Sequence, residues 1–470
     1  MAAQTEDNKI RCRMIVIRQD GALERRVAIE QDREQLRLPA LEISRRYRLA
    51  AGLTLAMKRR WGITGVYTPI PVFPNGAGQT DCQYRVMECL EEQEPAESPL
   101  GWKSCSTLAA ASFSEPQDYQ AVRFVLGQVC QRRGSDSPFA NLGWFHEVRA
   151  WVREVISPLG LKLRGDFEQW NGAPAFSLIR FSTDRGSVWF KAAGAPNSHE
   201  LALTRELSTL SPEHNVRLLA EKPEWNAWLA LEAEGVPLEE IADVNGWLLA
   251  ANSLAKLQIA SIERAPRLIE EGAADLRVHA LPAMAMRFFQ AARAWMLEQG
   301  KTAAQRLSSD EILALEQQIR EFLNETARLG IPETLGHMDP NPGNVIVSPK
   351  GRCVFLDWAE GYVGYPFLSF EYLLLHFRRS PLAAAVGDRA LEETYWNAWK
   401  PLVPSATLGE AQRLTPLLAV LTFAVHLFTQ SQTNRMLDPE TVGLLRSLIR
   451  RMKREASLLR AGIHHSALAI

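Results

Sequence analysis

The stretch of this chain best equipped for chemistry covers residues 335–358. It reads Leu335-Gly336-His337-Met338-Asp339-Pro340-Asn341-Pro342-Gly343-Asn344, then Val345-Ile346-Val347, a Ser348-Pro349-Lys350-Gly351 turn, and finally Val354-Phe355-Leu356-Asp357-Trp358. Two short apolar runs on either side of a Pro/Gly turn predict a β-hairpin. Asn344 then stands just before the first strand and Asp357 just after the second, which brings an amide oxygen and a carboxylate together. Such hard oxygen donors suit Mg²⁺, an ion held by few protein ligands together with phosphate oxygens. Asp339 lies five residues before Asn344 in a loop stiffened by proline and glycine, a position from which it can accept a proton from an incoming hydroxyl. Together these are the parts of phosphoryl transfer. Asp-Pro-Asn-Pro-Gly in isolation is ordinary turn sequence, so the inference rests on the joint order of histidine, aspartate, asparagine, hairpin and Asp-Trp.

The elements that must position these residues follow from periodicity and punctuation. Residues 308–330 form the plainest helix: Ser308 and Glu311 make a capping box, Ile312, Leu315, Ile319, Phe322 and Leu323 share one face, and Gly330 suits the C′ position. Upstream, residues 144–156 have helical spacing, and 175–180 and 187–191 read as two strands joined through Asp184-Arg185-Gly186. From Met14 to Val129 short β-rich runs (14–17, 65–67, 84–87) alternate with turn signals, and a helix is predicted over 49–60. Residues 131–138 are polar and rich in breakers. The expected organisation is therefore an N-terminal domain over 1–130, a linker over 131–140, a small β-rich lobe over 141–235 and a helical lobe over 236–470.

Composition bounds the function. A chain of 470 residues at 52.7 kDa exceeds what one core serves, and 46% hydrophobic with 23% charged residues is globular composition. With 53 Lys+Arg against 54 Asp+Glu the formal net charge is -1, so no global basic field exists to collect nucleic acid or an anionic membrane. The six cysteines show no CxxC pair and no zinc-like spacing and are expected to be buried free thiols. Residues 1–10 lack an apolar signal core, which points to the cytoplasm. The most apolar stretch, 414–428, contains Pro416, Thr422 and His426 and reads as a buried helix. Near the end, Leu445, Leu448, Ile449 and Met452 alternate with basic residues at helical spacing, which predicts a docked amphipathic helix with a solvated basic face.

The order His-x-Asp-x-x-x-x-Asn, apolar run, Asp-Trp resembles the aminoglycoside phosphotransferase and choline kinase family of small-molecule kinases. The resemblance implies a bilobal, protein-kinase-like α+β fold, with Asp339 as catalytic base, Asn344 and Asp357 as magnesium ligands, and His337 as support for the loop. It also makes Val188-Trp189-Phe190-Lys191 similar to the family's strand bearing the lysine that grips the donor's phosphates, hence Lys191. The following helix would supply the acidic partner. Glu200 and Glu206 compete for that place, and Glu200 is favoured because Leu203 and Leu207 lie at core-facing offsets from it. Trp228-Leu229-Ala230-Leu231-Glu232-Ala233 resembles the strand that enters the interlobe hinge. A GxGxxG loop is absent, only Gly172 stands near the first strand, and Ser177 is a minor candidate for the phosphate-covering loop.

A second resemblance concerns the N-terminal region. Leu36-Arg37-Leu38-Pro39-Ala40 and the helix ending Met57-Lys58-Arg59-Arg60-Trp61-Gly62-Ile63 are similar to a Nudix domain in spacing, but the glutamate positions hold Arg46, Ala56, Arg59 and Arg60. Gly101-Trp102 with Ser106-Thr107-Leu108 resembles that fold's late strand and helix. The resemblance implies an accessory domain without catalysis, used for binding or docking.

The reading that results is an ATP-dependent phosphotransferase acting on a hydroxyl of a small-molecule acceptor, with Mg²⁺ as cofactor and no nucleic-acid or membrane partner. The alternative is a catalytically inactive kinase-fold protein that binds nucleotide for regulation.

Overall fold

The computed structural model describes residues 9–20, 24–32, 35–44, 48–72, 82–90, 99–131, 138–300, 305–433 and 438–462. The fold is α+β and divides into two units, Met1–Leu201 with Leu218–Glu232, and Ala202–Arg217 with Ala233–Ile470. The expected linker lies largely outside the described residues, and the segments before and after it belong to one unit.

The first unit begins with β1 (Lys9–Asp20), β2 (Glu24–Asp32), β3 (Gln35–Arg37), β4 (Ala40–Ser44), α1 (Leu49–Trp61), β5 (Gly65–Thr68), β6 (Cys82–Cys89), β7 (Gly101–Ser104) and α2 (Pro116–Gln131). Seven strands form one mixed sheet in the order β3-β2-β1-β6-β5, with β4 on β1 and β7 on β2, and β1 runs parallel to β6. Because side chains alternate along a strand, Cys12, Met14 and Val16 of β1 pack with Leu53, Met57 and Trp61 of α1. Ile15 and Ile17 pack with Val122 and Val125 of α2. The sheet thus lies between two helices. Ser106, Thr107 and Leu108 are not helical, contrary to the late-helix expectation, and α2 begins only at Pro116. Thr107 Oγ1 donates to the Ser104 carbonyl at 3.1 Å and the Ser104 and Ser106 hydroxyls bond to each other, local bonding that competes with a helix. Arg46 lies outside the described residues.

The same unit continues with α3 (Trp144–Ile156), β8 (Leu163–Ala173), β9 (Phe176–Thr183), β10 (Gly186–Ala193), the first two residues of α4 (Glu200–Leu210), whose remainder belongs to the second unit, then β11 (Leu218–Lys222) and β12 (Ala227–Leu231); its strands make an antiparallel sheet in the order β11-β12-β10-β9-β8. Phe145, Val148, Val152 and Ile156 form the buried stripe of α3 and meet Ile179, Phe181, Val188, Phe190 and Leu229 from one face of this sheet. Each such fully buried side chain contributes roughly 1.5–3 kcal/mol. The other face is left for Lys191 and Trp189.

The second unit is mainly helical: β13 (Val236–Pro237), α5 (Val244–Ala260), α6 (Ala265–Glu270), β14 (Ala274–Leu276), α7 (Leu281–Glu298), α8 (Ser309–Arg328), β15 (Thr334–His337), β16 (Val345–Val347), β17 (Cys353–Phe355), β18 (Gly361–Gly364), α9 (Phe367–Arg378), α10 (Pro381–Val386), α11 (Arg389–Trp399), α12 (Ser405–Thr433) and α13 (Pro439–Arg460). The capping box of α8 is formed, with Glu311 N–H on Ser308 Oγ at 3.2 Å and Ser308 N–H on Glu311 Oε2 at 2.8 Å. Two three-stranded sheets, β13-β16-β17 and β14-β18-β15, carry the loop region. The apolar stretch 414–428 belongs to a much longer helix, α12; over Ser405–Ser431 it has the length and hydropathy of a membrane span, yet 67% of its most apolar window is buried. Leu445, Leu448, Ile449 and Met452 of α13 are buried. Among the described residues Cys12, Cys89, Cys105 and Cys353 are buried.

Candidate functional site

In the first unit, Lys191 stands on β10 opposite Leu178 of β9 and Trp228 of β12. Its ammonium lies 5.9 Å from the Phe176 ring and 5.7 Å from the Trp228 ring and forms an ion pair with Glu200. Glu200 opens α4 and is buried, so its carboxylate has both the lysine and the positive end of the helix for compensation. Glu206, one and a half turns later, is placed 3.9 Å from Arg264. Ser177 lies on the α3 side of β9, in alternation with Ile179 and Phe181, and so does not share the Lys191 face.

In the second unit the hairpin is formed by β16 and β17, with Val345 opposite Phe355. Leu356 N–H donates to the Asn344 carbonyl at 2.8 Å and closes the open end, so Asn344 and Asp357 are held near one another. Asp357 has φ +65°, a left-handed conformation that costs a non-glycine residue about 1 kcal/mol. The next residue, Trp358, is buried and its indole N–H donates to Asn215 Oδ1 at 3.0 Å. That anchor holds the strained turn and leaves the Asp357 carboxylate exposed.

The loop that carries Asp339 is tied at several points. His337 N–H donates to Ser369 Oγ at 2.7 Å. The imidazole accepts Asp339 N–H at Nδ1 (3.1 Å), which leaves Nε2 to donate to the Leu356 carbonyl (2.9 Å), and the ring leans on Trp358 at 4.7 Å between centroids. Asn341 Oδ1 accepts Gly343 N–H at 2.9 Å in an Asx turn. Both amide groups reach the catalytic candidate: Asn341 Nδ2 and Asn344 Nδ2 donate to Asp339 Oδ2 at 2.8 and 3.2 Å. Since the Asn344 nitrogen is spent on Asp339, its oxygen is the atom it has to offer a cation. A Cβ on Gly343 would lie 3.1 Å from Asn341 Oδ1 and 3.2 Å from Glu239 Oε1, a tightness that favours glycine there.

Three residues of this neighbourhood escape sequence reasoning. Glu360 is half-buried, and burial, followed by the charges of Asp339 and Asp357, raises its pKa above the usual carboxylate value. His376 of α9 is lowered by burial first and Arg379 second, with Asp339 opposing. Ser369, also on α9, is fully buried and bonded to Tyr362 as well as to His337. Glu360 follows Asp357 by three positions and could have been suspected; Ser369 and His376 depend on how α9 packs. Among the described residues no group of three or more His, Cys, Asp or Glu is arranged to hold a metal. The donor set fits Mg²⁺ only in the form expected for it, one amide oxygen and one carboxylate completed by phosphate oxygens.

Residues 198–402 match the model of the phosphotransferase enzyme family, a segment that includes Glu200, Asp339, Asn344 and Asp357 but not Lys191. No curated protein matches the chain. Solved structures that resemble it include a choline kinase from Streptococcus pneumoniae, at 15% identity and TM-score 0.42 over 67% of this chain and 99% of that one. A Plasmodium vivax ethanolamine kinase matches at 13% identity and TM-score 0.46, covering 74% and 98%. A macrolide 2'-phosphotransferase from Brachybacterium faecium matches at 15% identity and TM-score 0.42, covering 64% and 98%.

Proposed function

We propose, from the match of residues 198–402 to the phosphotransferase enzyme family model, that this chain transfers the γ-phosphate of ATP to a hydroxyl of a small-molecule acceptor. The observation that carries the proposal is the Asp339 carboxylate: exposed, oriented by two side-chain amides on one oxygen, and fixed through its own N–H to His337. A carboxylate so held can orient the acceptor hydroxyl and take its proton as the bond to phosphorus forms.

Lys191, kept in place by Glu200, neutralises the donor's phosphates. Asn344 Oδ1 and Asp357 are the groups that would hold Mg²⁺, whose contribution is to offset negative charge on the transferring phosphoryl group. Little covalent chemistry is asked of the protein, and positioning with charge neutralisation supplies the catalysis. In this reading the N-terminal sheet domain has a non-catalytic binding or docking role.

The test is calorimetric titration with Mg-ATP, followed by a screen of amino alcohols, aminoglycosides and other hydroxylated metabolites for ADP release. Tight Mg-ATP binding with acceptor-stimulated ADP release is the expected result. Binding without turnover on any acceptor would favour a regulatory nucleotide sensor, and absence of binding would remove both readings.

A further inference from the structure

Two sheets in the first unit end on edge strands, β5 in one and β8 in the other, and an edge strand presents backbone groups that its own sheet cannot satisfy. Here the two edges are joined by one side chain. Gln169 of β8 accepts Tyr67 N–H at Oε1 (2.7 Å) and donates from Nε2 to the Tyr67 carbonyl (2.9 Å). Its amide thereby pairs with β5 as a further peptide unit would. Gln169 is only 2% exposed, and a primary amide so deeply buried is costly unless both of its ends are bonded.

The neighbouring contacts repeat the connection. Val66, beside Tyr67, is buried among Phe145, Val148 and Phe190 in the core beneath the β8–β12 sheet. Gly172 of β8 lies so close that a Cβ there would be 3.1 Å from Gln169 Nε2, 3.4 Å from Tyr67 Cδ1 and 3.9 Å from Ala50 Cβ. At the start of α3, Gly143 N–H donates to both carboxylate oxygens of Glu88 from β6, at 2.8 and 3.0 Å.

The end of β8 fixed in this way is paired with the strand that flanks the lysine. Asn171 faces Leu178, Gly172 faces Ser177 and Ala173 faces Phe176 across the β8–β9 pair. Leu178 is in turn the partner of Lys191, and the Phe176 ring lies beside its ammonium. We propose that the N-terminal sheet domain is a brace for the β8–β9 hairpin, and that Gln169 is the positioning residue through which it holds Lys191 for the phosphoryl donor. The second half of the proposal rests on the phosphotransferase reading given above.

Gln169→Leu fills the same space without the two hydrogen bonds, and Gln169→Ala serves as a second variant. Both are read in the full chain by three measurements: thermal midpoint, amide hydrogen exchange over residues 173–178, and steady-state kinetics in Mg-ATP. The expected result is faster exchange at the hairpin, KM for Mg-ATP raised about 5-fold (the ~1 kcal/mol of one buried hydrogen bond), kcat unchanged, and a lower midpoint, since the Tyr67 N–H and carbonyl lose their partners. A structural role alone would lower the midpoint without this split between KM and kcat. Unchanged exchange at 173–178 overturns the brace, and faster exchange with unchanged KM overturns the link to Lys191. If the wild-type chain neither binds nor turns over Mg-ATP, the phosphotransferase reading falls and takes the Lys191 link with it, while exchange in the ligand-free variants still decides the brace.

Discussion

The imidazole of His337 takes the backbone N–H of Asp339 at one nitrogen and gives the hydrogen of the other to Leu356. One neutral ring therefore spans from the loop that carries Asp339 to the residue just before Asp357. His337→Phe would keep the contact with Trp358 and lose both bonds, leaving a backbone N–H and a carbonyl unsatisfied at a cost of about 1–3 kcal/mol each. The expected outcome is a lower thermal midpoint and a kcat reduced more than KM is raised, because Asp339 loses its orientation before nucleotide contacts are affected. Parallel melting curves and acceptor kinetics check it; a variant with unchanged kcat would dismiss the ring as a support.

Asp339, Asn344 and Asp357 should separate by phenotype. If Asp339 serves the acceptor, Asp339→Asn lowers turnover by ~100-fold or more while Mg-ATP affinity stays near normal. Asn344→Ala and Asp357→Ala should weaken Mg-ATP binding and turnover together, since each removes an oxygen ligand. Calorimetric affinity beside phosphorylation rate for the three variants gives the comparison. Loss of nucleotide binding in Asp339→Asn with retention in Asp357→Ala would reverse the assignment.

Much of this region was legible because its information is local. Asn344, the two apolar runs and Asp357 lie within a span whose turn chemistry predicts a hairpin, whereas Lys191 and its acidic partner were pointed to by the resemblance of their strand and helix to the kinase family. Other relations are between residues far apart in sequence. Ser369 meets His337 only because α9 packs behind β15, and Gln169 meets Tyr67 across 102 residues. The strands β14, β15 and β18 have three or four residues each, too few for a period of two to stand out. Ser106 to Leu108 misled for another reason: small hydroxyl residues bond to their own turn more readily than they begin a helix.

The packing of β15 against β18 can be probed without touching a charged group. A Cβ at Gly336 would overlap the ring of Tyr362, which is fully buried and bonded to Ser369. Gly336→Ala should therefore destabilise by at least about 2 kcal/mol, in the range of core overpacking, and slow turnover by displacing His337, its neighbour in sequence. Urea melts of the variant check the first part; a cost near zero would mean that Tyr362 can move aside.

Helix α1 holds no acidic residue, and Lys58, Arg59 and Arg60 occupy its last turn. Mg²⁺ and Mn²⁺ need carboxylate oxygens, so the full chain should show no metal-dependent hydrolysis of nucleoside diphosphate compounds that survives Asp357→Ala. Robust hydrolysis in that variant would place a second metal site in the N-terminal domain.

Glu88 gives the stability a pH dependence of known sign. Burial raises its pKa from 4.5 to about 7, against the opposing effect of the Gly143 N–H. The folded protein thus retains a proton up to about pH 7 that the unfolded chain releases near 4.5, and stability must fall as pH rises between the two. The contribution is fully present below about pH 4.5 and lost above 7, and 2.5 pKa units correspond to about 3 kcal/mol. Glu88→Gln keeps an oxygen for Gly143 but cannot ionise, so its thermal midpoint should lie above the wild type's at pH 8 and approach it at pH 5. Melts at pH 5, 6, 7 and 8 decide the matter: two curves that stay parallel throughout would show that the carboxyl is ionised over the whole range, and that burial at β6 does not hold its proton.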